Sequence, residues 1–159
     1  MEKGEDRYKI EGPICIKLIG PFYFDSTFDR ATEDEIGGEM SVQLQVEQMP
    51  GYLAARFIGK GVPGEGSAHF LTIADHCERT NNENLLIDIT KFDVKASIFD
   101  RFFVGEKLQI FARHGIKVAF VHTLEQADPQ SFGELVARNR GVNLRTFTDS
   151  GAAEKWLLE

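Results

Sequence analysis

The chain has 159 residues, 42% hydrophobic and 27% charged, an ordinary globular composition that excludes general disorder. The net charge of −7 is uneven: residues 1–39 carry ten acidic and five basic side chains, against fifteen and thirteen in residues 40–159. No basic stripe marks a nucleic-acid surface, so no nucleic-acid partner is expected. No run approaches the roughly 18 apolar residues of a membrane span, so none is expected.

The opening MEKGEDRYK lacks the apolar core of a signal peptide, so the expected location is cytoplasmic. Cys15 and Cys77 fall outside any CxxC spacing, so neither a disulfide framework nor a structural zinc site is expected. No metal and no cofactor is implied. Residues 1–39 form an acidic N-terminal extension or arm, with a short strand expected within Ile14–Ile19 and a solvated stretch over Asp25–Glu39. A domain begins at Met40 and runs to Glu159.

Val42, Leu44 and Val46 alternate with polar residues, the period-2 mark of a half-buried strand. Met49-Pro50-Gly51 is a turn, and Tyr52–Ile58 a second strand, which together predict a β-hairpin. Gly59–Gly66 is a loop. A helix capped by Ser67 and reaching about Asn81 presents Phe70, Ile73, Ala74 and Cys77 on one face. Leu85-Leu86-Ile87 is a central strand buried on both faces. A long second helix runs from Lys95 or Ala96 to His114, with Gly115 as its stop. Lys117–His122 is another buried strand. A third helix runs from Pro129 to Arg140, followed by a strand over Asn143–Thr148 and a closing helix over Ala152–Leu158. The order β-β-α-β-α-β-α-β-α predicts an α/β fold with a mixed, mostly parallel sheet of about five strands and four helices.

These pieces, in this order, resemble the STAS domain, in its SpoIIAA-like branch, which is loosely similar in shape to the Sec14 lipid-binding fold. The resemblance covers roughly Gln43–Leu158. It is carried by Ala55-Arg56-Phe57-Ile58-Gly59-Lys60, by Leu86-Ile87-Asp88-Ile89-Thr90, by the helix Ser97–Arg113, by His114–Val121 and by the closing Thr148–Leu157. It implies a small non-enzymatic regulatory module that binds a protein partner or itself as a homodimer, as anti-sigma factor antagonists do. In that family a serine at the start of the second helix is phosphorylated. Here Ser97 falls on the first serine of the pattern, and the position usually modified is Ile98, so the resemblance does not carry the phospho-switch over.

Ser97 is the candidate regulatory residue, because a phosphate at a helix N-terminus gains from free N–H groups and the macrodipole. The plainer reading is a helix-capping serine. Gly59–Gly64 spells G-x-G-x-x-G, but Pro63 offers no N–H and Glu65 brings negative charge, so a flexible loop is expected there. Asp88, Thr90, Asp93 and His122 lie at or past strand C-terminal ends, where ligand crevices form in α/β sheets. With Ser97 they could ring one crevice; a Ser-His-Asp hydrolase is conceivable from residue types alone, but no G-x-S-x-G elbow is present. His69 and His76 share one side of a helix beside Cys77, without a completed metal set. Ile98, Phe99, Phe102 and Phe103 place four large apolar side chains within six residues, more than one helix stripe easily buries. They mark either an interface or an apolar pocket for a lipid-like ligand. An exposed aromatic patch would favour the first, and an apolar cavity of about 300 Å³ or more the second.

Overall fold

The computed structural model describes residues 18–19, as backbone only, and 42–159. The expected boundary at Met40, the acidic stretch Asp25–Glu39 and Cys15 lie outside the described residues.

The hairpin forms as its pattern dictates. Strand β2 (Gln43–Met49) pairs antiparallel with β3 (Tyr52–Lys60), Met49 opposite Tyr52. The turn between them needs Gly51, whose φ is +87°. Of the short strand expected in the extension, Leu18–Ile19 is described; as β1 it pairs antiparallel with the outer edge of β2. Strands β4 (Asn84–Asp93), β5 (Lys117–Val121) and β6 (Asn143–Phe147) follow, each parallel to its predecessor, in the order β1-β2-β3-β4-β5-β6. Among the described residues the sheet is α/β and mixed, the five expected strands plus the two-residue β1.

Stepping along a sheet in one direction with right-handed crossovers places every crossover helix on the same face. Alternation then sorts the core. Leu53, Ala55, Phe57, Leu85, Ile87, Val118 and Leu144 face the crossover helices. Tyr52, Ala54, Leu86, Ala119 and Val121 face the closing helix α5 (Ser150–Leu158), which inserts Ala153 and Leu157. No helix among the described residues is long and apolar enough to cross a membrane.

Three helix boundaries differ from expectation. Ser67 does not cap α1 (Phe70–Arg79): its hydroxyl donates to the Gly64 carbonyl at 2.7 Å inside a 3-10 turn over Gly66–His69. The second expected helix breaks at Leu108 into α2 (Ile98–Lys107) and α3 (Gln109–Arg113), so the four expected helices are present among the described residues with the second in two segments. Helix α4 (Phe132–Asn139) starts three residues after Pro129, because Asp128 folds the intervening residues into a turn and accepts from the N–H groups of Gln130 and Gly133.

Candidate functional site

Helix α2 begins with a capping box. The Asp100 N–H donates to Ser97 Oγ at 3.3 Å, and the Asp100 carboxylate accepts from the Ser97 N–H at 2.7 Å. Hydrogen bonds from Ser97 hold the Asp100 carboxyl below its ordinary pKa. The candidate regulatory serine is therefore an exposed helix cap. Its hydroxyl also donates to Asp100 at 2.6 Å, and a phosphoryl group there would lose that bond and meet a carboxylate.

After this start α2 does not settle on the sheet. Its one buried residue is Gly105. A Cβ on Gly105 would sit 2.9 Å from the Gly133 carbonyl oxygen and 2.9 Å from Val136 Cβ, so the missing side chain lets α2 press against α4. Phe102, half-buried, stacks on Phe132 of α4, and Glu106 pairs with Arg140 just beyond it. With α2 held sideways by α4, the space beneath it stays open as a cavity of about 780 Å³. Half-buried Ile89 and Phe120 form its floor and half-buried Val104 its roof, with the core residues Ile87, Leu108 and Leu144 packed behind them, while Phe57, Phe70 and Phe92 close the side towards α1. Exposed Pro63, Lys95 and Thr148 stand at the rim.

A β-bulge shapes one wall. Asp88 pairs with Arg56 but Lys91 with Ile58, so β4 carries one extra residue. Both Ile89 and Phe92 consequently line the cavity. Strand β5 stops opposite Asp88, which leaves the overhang of β4, paired with β3 on one side, without a strand partner on the other. The Gln126 side chain takes that place, donating to the carbonyls of Ile89 (3.0 Å) and Phe92 (2.7 Å) and accepting from the Thr123 N–H at 2.9 Å. The Gln126 backbone carbonyl accepts from Arg101 of α2 at 3.3 Å. One residue, through its side-chain amide and its backbone, thus ties strand, loop and roof together.

The crevice expected around Asp88, Thr90, Asp93 and His122 is not assembled: only His122 of the four lines the cavity. Asp88 sits between Ile87 and Ile89, which line the cavity, so alternation directs it to the opposite face. There it accepts from the N–H and hydroxyl of Thr90 at 2.9 and 2.7 Å. Asp93 is exposed, and its carbonyl accepts from the Gly61 N–H. His122 Nδ1 lies 2.9 Å from the Thr123 carbonyl. No hydrogen bond joins Ser97, His122 and Asp88 among the described residues, and the hydrolase arrangement is not formed.

The Phe-rich stretch splits. Phe102 is half-buried, whereas Ile98, Phe99 and Phe103 are 53%, 73% and 57% exposed. Phe111 of α3 lies in the core.

Among the described residues, His69 and His76 stand apart from any cluster of metal-ligating side chains. Desolvation lowers the pKa of both His69 and His76, and burial pushes the Cys77 thiol up to about 12, an inert core residue. Asp75, Glu78 and His114 instead lie together, with His114 Nδ1 3.5 Å from Glu78 Oε2. The Glu78 side chain is 68% exposed, and this group is a cluster at the surface.

Sequence reasoning missed Gln126, Arg101 and Gly105. A glycine in a helix interior costs about 1 kcal/mol against alanine, and that was the available signal of a close helix approach. A lone glutamine in a loop carries no such signal.

No family model matches the chain, and no curated protein sequence matches it. Among solved structures, the chain is similar to an uncharacterized protein of the DUF3478 family from Shewanella loihica PV-4, at 19% identity over 80% of this chain and 99% of that one, with a TM-score of 0.45. That protein is described as having a SpoIIAA-like fold, the one the sequence resembles.

Proposed function

We propose that this domain is a non-catalytic binding module for a small apolar or amphiphilic molecule, held between α2 and the sheet. The supporting observation is the cavity of about 780 Å³ with an apolar floor and roof. Its volume lies within the roughly 300–1,000 Å³ of small-molecule sites, and it opens at the C-terminal ends of parallel strands. A ligand that binds only the folded state raises the unfolding temperature by mass action. Titration with decanol is expected to raise Tm, and Val104→Trp, which fills the roof, to abolish that rise while the variant stays folded. An unchanged Tm in the parent protein at saturating decanol would defeat this reading.

A second reading rests on the exposed Ile98, Phe99 and Phe103. This patch supports a protein-interaction role, with a partner protein or a second copy of the chain, and a regulatory module of the kind the sequence resembles. Sedimentation velocity over a concentration series tests self-association, which Phe99→Ser with Phe103→Ser is expected to remove.

A further inference from the structure

Resting on the ligand-binding reading, the polar side chains of the cavity narrow the class of ligand. Five carboxylates line it, and four are already committed to the protein. Asp100 accepts from Ser97. Asp128 accepts from Gln130 and Gly133. Glu134 accepts from the Thr146 N–H and hydroxyl at 3.0 and 2.7 Å, and Asp149 from the Ala152 N–H at 2.7 Å. The fifth, Glu125, is exposed. These acids serve caps and strand edges.

The cations differ. Arg56, Arg101 and Lys117 are the half-buried lysines and arginines among the described residues. Arg56 is met by Glu47 at 2.6 Å. Lys117 donates to the Trp156 carbonyl at 2.5 Å and lies 4.4 Å from the Trp156 ring centre. Arg101 has one contact, the 3.3 Å bond to the Gln126 carbonyl, and no carboxylate within 4 Å among the described residues. A guanidinium carries five N–H donors in a rigid fork that matches a carboxylate. Most of that fork is unspent, and it stands in a wall that also holds Val104 and Leu108.

We propose that the cavity takes a single-chain amphiphile with a carboxylate head. The head pairs with the Arg101 guanidinium, and the chain lies along Ile89, Val104 and Phe120. His122 lines the same cavity. The surplus of acids favours a singly charged head over a phosphate, which carries between one and two negative charges near neutral pH. An anionic head is stable there only in direct contact with the guanidinium, because bidentate pairing outweighs the more distant, partly screened carboxylates.

Calorimetric titration with decanoate, decanol and decyl phosphate tests this. The parent protein binds decanoate and decanol, and decyl phosphate more weakly than decanoate. Arg101→Gln weakens decanoate by about tenfold to a hundredfold, the worth of a hydrogen bond to a charged group, and leaves decanol nearly unchanged. Arg101→Lys restores part of the decanoate affinity. Equal losses for decanoate and decanol in Arg101→Gln would reduce Arg101 to a structural tie, and decyl phosphate binding the tighter would overturn the carboxylate assignment. If decanol binds the parent and decanoate does not, the head group is wrong and the cavity reading stands; if neither binds, both fall.

Discussion

Helices α1 and α2 are each ten residues long and lie on the same face of the sheet, yet they do opposite things. Helix α1 sinks Phe70, Ile73, Ala74 and Cys77 into the core, and each fully buried large apolar side chain contributes about 1.5–3 kcal/mol. Helix α2 buries a glycine, leaves two phenylalanines and an isoleucine in solvent, and keeps a cavity beneath it. Stability is concentrated under α1. The features suited to binding are concentrated around α2, as expected of sites that sacrifice packing for access.

The largest effect is expected at α1. Ile73→Ala is expected to cost about 2–5 kcal/mol in denaturant unfolding, because the side chain is fully buried and leaves a cavity. A cost below 1 kcal/mol would mean that α1 is not the anchor. Next is Gly105→Val, which must push α2 off the Gly133 carbonyl and is expected to cost about 1–3 kcal/mol and to change ligand affinity together with stability. Acidification should act on α1 and the turn leading into it. His69 and His76 have folded pKa values lowered from 6.5 by desolvation, so their stabilising contribution is full above the unfolded value and is lost as pH falls through the folded ones. Thermal unfolding between pH 7 and 5 should show that loss, and His76→Gln should reduce it. The smallest effect is on α2: Phe103→Ser is expected to change stability by no more than about 0.5 kcal/mol, since the ring is mostly exposed.

The elements legible in the sequence are those whose local and tertiary preferences agree. The alternation of Val42, Leu44 and Val46, the stripe of α1 and the order of strands and helices all follow from burial on a sheet. The break at Leu108 was not legible, because neither glycine nor proline marks it. The bulge in β4 was hidden for a related reason: Asp88-Ile89-Thr90 gives no turn signal, and the extra residue redirects Phe92 into the core. The apolar surplus at Ile98–Phe103 was legible as a patch or pocket, but the cavity itself arises from α2 leaning on α4 through Gly105. Only His122 among the expected crevice residues could be placed from strand ends, whereas Arg101 and Gln126 owe their roles to contacts across loops.

The central claim is that the space beneath α2, rather than its outer surface, receives the ligand. Methyl-resolved NMR during a decanol titration tests it most directly. The expected result is that the methyl signals of Ile87, Val104, Leu108 and Leu144 shift together and saturate, while that of Ile98 stays in place. Shifts confined to Ile98, or no shift in the four cavity methyls at saturation, would contradict it.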